Sequence, residues 1–431
     1  MTPAARIAAA IDLLRAVEGA LTRPADAVAN DYFRTRRFIG AGDRRAVSER
    51  AWGVLRARRR LAWWLARAGA PPTPRLLVAA ALLCEGWSAQ GLGQAFSGGR
   101  FAAERLDAEE QAALGELIGR TLDHPSMPVA VRLELPDWIL PKLEARFGAS
   151  LGAELTAMLE PAPLDMRANL LKGTREDART ALAVEGYEAE PTRLSPWGLR
   201  LPGRRPVTAG KAFQSGLVEI QDEGSQLVAL LSGAKPGMRV LDLCAGAGGK
   251  TLALAAMMEN RGHIAACDVS TPRLDAAVRR FRRAGVHNVE RHKIDVGDRW
   301  LKRRVAGFDR VLVDAPCTGT GTWRRNPDAR TRLTETDLAE LVVRQAALLD
   351  DAAPLVRKGG WLVYATCSLL PEENEEQVHA FVARHAEFAV VPLARAWTLD
   401  APAPCGGELL VLTPRQHGTD GFFCVVLERA A

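Results

Sequence analysis

The chain has 431 residues, with 57 Lys and Arg against 51 Asp and Glu for a formal charge of +6. An apolar fraction of 48 % beside 25 % charged residues excludes a natively disordered chain and leaves room for two or three packed domains. No run nears about 18 uncharged apolar residues, and Met1, Thr2, Pro3 and Ala4 do not begin a leader, so a cytoplasmic protein with no membrane contact is expected.

In chain order, Ile7, Ile11, Leu14, Val17 and Leu21 recur three and four residues apart, predicting a helix that Pro24 follows. The helical pattern continues over 43–65 through Val47, Trp52, Leu55, Leu61 and Leu65. This stretch also carries Arg44, Arg45, Arg50, Arg56, Arg58, Arg59 and Arg60. A charged face is commonly only a solvated one; seven arginines with a single acid among them favour phosphate contact. Prolines 125, 128, 136 and 141 predict a boundary near residue 130. Beyond it, a strand at Arg167–Leu171 and a capping box at Thr174–Asp177 predict a small α+β segment up to about residue 209.

From Lys235 short apolar strands alternate with helical patterns: 238–243, 264–268, 289–294, 310–314 and 360–365. This alternation predicts a doubly wound parallel sheet. Two late strands, 409–412 and 422–427, are close enough to form an antiparallel closing pair.

The first of these strands runs into Cys244, Ala245, Gly246, Ala247, Gly248, Gly249, Lys250 and Thr251. A Walker A loop would need its first glycine where Cys244 stands, and a dinucleotide fingerprint would need its third where Thr251 stands. The first is excluded and the second, which begins correctly at Gly246 and Gly248, is weakened; a third possibility is an S-adenosylmethionine site, in which glycines admit the ligand and strand-end acids grip its ribose and amino groups. Asp268, Asp295 and Asp314 each end a strand, and in such sheets these ends converge on one crevice. Any one of them could simply cap the following helix.

Seven cysteines without a C-x-x-C motif support neither a disulfide framework nor a thiolate zinc site, and seven histidines without ligand spacing indicate no metal. Cys84, Cys267, Cys405 and Cys424 read as packing residues. Cys317, in Asp-Ala-Pro-Cys, and Cys367, in Thr-Cys-Ser, emerge at the ligand edge of adjacent strands. Methyl transfer to C5 of a pyrimidine explains a thiol there: a thiolate adding to C6 makes C5 nucleophilic, and a second thiol can assist the release of product. Asp314, held protonated, would suit a contact with N3 of the base.

These blocks, with Phe213–Gln226, Arg325-Asn-Pro-Asp328 and Tyr364–Glu375, resemble the RNA 5-methylcytosine methyltransferases of the RsmB and NOL/NOP/SUN group. The resemblance implies a Rossmann-like class I S-adenosylmethionine-dependent methyltransferase domain at 210–431. It further implies a NusB-like all-helical RNA-binding domain at 1–130, and a linker with a small ferredoxin-like α+β subdomain at 131–209. It assigns Cys367 as nucleophile, Cys317 to product release, Asp314 to the base and Lys250 to the active site. Cofactor contacts fall to residues 244–250 and to Asp268, Arg273, Asp295 and Asp314. RNA contacts fall to Arg44, Arg45, Arg58, Arg59, Arg324 and Arg325. The implied activity is C5 methylation of cytosine in 16S ribosomal RNA by a monomer. A transfer RNA substrate, or an inactive RNA-binding assembly or antitermination factor, are the alternatives. Gly246-Ala247-Gly248 departs from the usual Ala-Pro-Gly, a change that glycines tolerate.

Overall fold

Thr2 accepts a hydrogen bond from the Ala5 N–H and Pro3 opens the first turn, so the chain enters helix α1 (Pro3–Glu18) at once. The computed structural model describes residues 1–203, 205–295, 297–399 and 402–431. Two units result: 1–160 with 323–334, and 161–322 with 335–431.

In the first unit α2 (Ala25–Thr35), α3 (Ala41–Arg56), α4 (Arg58–Arg67) and α5 (Pro74–Cys84) follow α1. Every residue from Leu76 to Leu83 is buried, so α5 is the centre around which α1, α3 and α4 pack. The single helical pattern expected over 43–65 is broken at Ala57 (φ −115°, ψ 18°). Ala57 cannot cap α4; Glu134, 3 % exposed, does so by accepting from the N–H groups of Arg59 (2.8 Å) and Arg60 (3.1 Å) and from Arg60 Nε (3.0 Å). Asp137 in turn pairs with Arg59 at 3.0 Å. These contacts carry the helical unit past the expected boundary near 130, as far as Glu160.

The segment 323–334 also belongs to this unit. Asp328 Oδ2 accepts from the Ala25 N–H at 3.0 Å, capping α2 where Pro24 cannot. Arg330 donates to the Met158 carbonyl at 2.7 Å, and Arg56 to the Arg324 carbonyl at 2.9 Å.

The second unit holds two sheets. The smaller is antiparallel in the order β2 (Glu190–Pro191), β3 (Gly198–Leu201), β1 (Leu164–Ala168), β4 (Val218–Ile220). The predicted capping box opens the helix Arg175–Val184 through Thr174 and Asp177. Because β4 pairs with β1, this sheet runs past the expected end at 209.

The larger sheet comprises β5 (Arg239–Asp242), β6 (His263–Asp268), β7 (Val289–Lys293), β8 (Phe308–Asp314), β9 (Val356–Thr366), β10 (Phe388–Val390), β11 (Leu410–Leu412) and β12 (Phe422–Arg429). Its order is β10-β12-β9-β8-β5-β6-β7, with β11 on β12. Strands β5 to β9 are parallel, while β12 runs antiparallel to β9, β10 and β11. The predicted strands and the antiparallel closing pair are all present; β10 was not foreseen. Strand order reverses at β5, so the carboxyl ends of β5, β6, β8 and β9 border the crevice where such sheets take ligands.

Candidate active site

Beyond β5 the backbone turns through Gly246 (φ 54°) and Gly248 (φ 78°) into the helix Gly249–Met257. A Cβ on Gly248 would lie 2.6 Å from the Phe281 ring, so this glycine provides the close helix contact. Thr251 is thereby free to donate its hydroxyl to Asp242 Oδ2 at 2.7 Å. A Cβ on Gly246 would meet nothing within 4 Å. The turn is anchored to β6: Asp268 Oδ2 accepts from the Gly246 N–H and Oδ1 from the Ser270 N–H, both at 2.8 Å.

Asp242, at 1 % exposure, has an Oδ1 with no partner, and burial pushes its carboxyl up to about 7. Burial likewise drives the Cys244 thiol upward. Lys250, at the first turn of the helix, donates to Asp314 Oδ2 at 2.6 Å. Burial opposes its charge, but Asp314 and Cys367 outweigh burial and hold the ammonium more firmly than in an ordinary lysine. Three acids, one buried oxygen without a partner and open space at Gly246 fit a ligand with cationic and hydroxyl groups, as S-adenosylmethionine has. Asp295 lies instead at the surface, paired with Lys293 at 2.7 Å, and Arg273 is exposed. The arginine hydrogen-bonded to the turn is Arg280, which donates to the Ala247 carbonyl at 2.7 Å and was missed by sequence reasoning.

Asp314 and Ala365 are paired across β8 and β9, so the loops that follow bring the two thiols together. Cys317 Sγ and Cys367 Sγ are 3.4 Å apart, and both residues are half-buried. The hydrogen bond to Cys367, burial and the negative charge of Cys367 and Glu373 raise the Cys317 thiol well above its ordinary value. The two sulfurs are thus within hydrogen-bond reach, and either can donate to the other. The loop is pinned: the Gly321 N–H donates to the Cys367 carbonyl at 2.9 Å, and a Cβ on Gly321 would lie 2.2 Å from the Gly421 carbonyl oxygen. Cys267 and Cys424 are fully buried, and the Cys405 thiol donates to the Val411 carbonyl at 3.0 Å.

Of the arginines expected to meet RNA, only Arg45 is exposed. Arg44 donates to the Ile39 carbonyl at 2.8 Å, Arg58 pairs with Glu18 at 2.5 Å and Arg59 with Asp137 at 3.0 Å. Arg324 is buried and Arg325 half-buried. Among the described residues no His, Cys, Asp and Glu group is arranged to hold a metal, and no helix is long and apolar enough to cross a membrane.

The sequence matches a family described as 16S rRNA methyltransferase RsmB/F over residues 229–428, and the ferredoxin-like domain of RsmF/B-like proteins over 135–208. A probable ribosomal RNA small subunit methyltransferase B of Synechocystis is 34 % identical, with 72 % of this chain and 70 % of the relative covered. The ribosomal RNA small subunit methyltransferase B of Photorhabdus laumondii is 33 % identical, over 67 % of this chain and 65 % of its own length. Among solved structures, PH0851 is similar at a TM-score of 0.82 and 25 % identity, covering 100 % of this chain and 99 % of its own. A methyltransferase homologue from Pyrococcus horikoshii has a TM-score of 0.61 at 29 % identity, over 72 % of this chain and 100 % of its own. The Rossmann-like methyltransferase fold expected from the sequence is thus present.

Proposed function

The chain belongs to the RsmB/F family of 16S rRNA methyltransferases, and on that premise we propose that it methylates C5 of a cytosine in 16S ribosomal RNA, with Cys367 bonding covalently to C6. S-adenosylmethionine, the cofactor of the family, supplies an electrophilic methyl group when bound. Residues 244–250 with Asp268 and Asp314 would hold it, while Asp295 and Arg273 stand at the surface with lesser claims.

The paired sulfurs carry this reading. The sulfurs are 3.4 Å apart, and its hydrogen bond with Cys367 and its burial hold Cys317 as the thiol, which leaves Cys367 as the sulfur to act as nucleophile. Cys367 attacks C6, and the ring electrons make C5 nucleophilic. Asp314, which pairs with Lys250 at 2.6 Å, meets the base. It can accept from a protonated N3 or from the 4-amino group.

Once Cys367 is bonded to C6, the hydrogen bond between the two sulfurs is lost and the Cys317 proton can pass to solvent. After methylation C5 loses its proton to Cys317, the electron pair closes the C5=C6 bond, and the C6–S bond breaks with its pair returning to Cys367. The resting pair of sulfurs is restored. The target base must be single-stranded or extruded to reach the crevice. A ribosomal RNA substrate is favoured over transfer RNA by the relatives' names, and an inactive factor would have no use for the thiol pair.

The test is adduct trapping on denaturing gels with 16S RNA and cofactor. Cys317→Ala is expected to accumulate a covalent protein–RNA adduct, and Cys367→Ala to yield neither adduct nor product. The reverse pattern would exchange the two roles.

A further inference from the structure

Glu373 lies beneath the Cys317 loop at 0 % exposure, and the reaction above makes no use of it. Its carboxylate accepts from the Thr318 N–H at 2.8 Å, from the Thr318 hydroxyl and from Gln345 Nε2 at 2.9 Å. The same Gln345 nitrogen donates to the Pro316 carbonyl at 2.9 Å. The carboxylate therefore holds both peptide neighbours of Cys317, Thr318 directly and Pro316 through Gln345. Its own backbone is fixed by the Tyr364 hydroxyl, which donates to the Glu373 carbonyl at 2.6 Å. From the other side, Ser368 Oγ stands 3.2 Å from the hydroxyls of both Thr318 and Thr320, tying this loop to the residue after Cys367.

Burying a carboxylate is costly even when its hydrogen bonds are made, and an amide could hold the same loop with less desolvation. What an amide lacks is negative charge, and here that charge faces Cys317.

We propose that Glu373 is a positioning residue for product release: it sets the place of the Cys317 sulfur against Cys367 and, through its charge, the strength of Cys317 as a base toward the C5 proton. The inference rests on the assignment of Cys317 to release.

The test is Glu373→Gln in the full chain, with adduct formation and adduct breakdown timed separately in single turnovers on 16S RNA. Formation should stay within about twofold of wild type, breakdown should slow roughly tenfold, and the pH midpoint of breakdown should fall because a less opposed Cys317 ionises sooner. Gln345→Met, which removes the Pro316 tether and one donor to Glu373 but leaves the carboxylate and its Thr318 contacts in place, should slow breakdown by a few-fold with a smaller shift of that midpoint than Glu373→Gln; it serves if Glu373→Gln does not fold. Breakdown at the wild-type rate in both variants, or equal slowing of formation and breakdown, overturns the proposal. Cys317→Ala run in parallel separates the two failures: if it accumulates no adduct, the assignment of Cys317 is what fails.

Discussion

Lys250 Nζ lies 2.6 Å from Asp314 Oδ2, joining the first turn after β5 to the end of β8 across the point where strand order reverses. The same ammonium is 5.5 Å from the centre of the Phe422 ring, so its alkyl stem and charge are both enclosed. One contact thus couples the turn that would hold the cofactor to the acid that would meet the base.

Asp314→Asn is expected to lower the single-turnover rate of adduct formation about 10- to 100-fold, the worth of one charge-assisted hydrogen bond. Lys250→Met should lower it further, since Asp314 then loses its counter-charge. Rapid-quench measurement of adduct formation checks both, and wild-type rates in either variant would remove the pair from the mechanism.

Asp242 predicts a pH dependence of stability. Its folded value of about 7 stands above the unfolded value of about 3.9. The stability it contributes is therefore fully present below about pH 4 and is lost as pH rises towards 7, with a slope of at most about 1.4 kcal/mol per pH unit. Asp242→Asn removes that slope. Urea denaturation of both proteins from pH 4 to 8 should show the variant gaining on wild type as pH rises; parallel curves would contradict the burial argument.

RNA affinity separates exposed from engaged arginines. Arg45→Ala should weaken 16S RNA binding and reduce the slope of log affinity against log salt by about one. Arg58→Ala breaks the pair with Glu18 and should alter thermal stability with little change in that slope. Filter binding across a salt series and a melting curve separate the two outcomes.

Glu134→Ala should destabilise the helical unit by about 3–5 kcal/mol, because Arg60, at 8 % exposure, loses its buried partner and α4 loses its cap. Hydrogen exchange should rise first at the amides of Arg59 and Arg60 if the cap is as drawn; uniform exchange across the unit would argue against it.

Much of the catalytic unit was legible because its signals are local. Short β-rich runs predicted β5 to β9, and residues at the ends of strands are brought to one edge by the handedness and parallelism of the sheet. Asp268, Asp314, Cys317 and Cys367 could be placed in one crevice on that ground alone. Helix ends set by tertiary contacts were not legible: nothing near Ala57 announces a break, since the cap on α4 arrives from Glu134. The first compact unit extends to Glu160 for the same reason, and Arg58 and Arg59 read as free charges because their acidic partners lie far away in sequence.

The sequence by itself determined the fold class, the glycine turn and the presence of two thiols at adjacent strand ends, since each depends on residues close together along the chain. Only the tertiary structure decided that the two sulfurs stand 3.4 Å apart, that Asp314 is paired with Lys250, and that Glu373 underlies Cys317. Those are distances and burials between residues as many as 64 positions apart, and protonation and hydrogen bonding respond to such neighbours in space, not to neighbours in sequence.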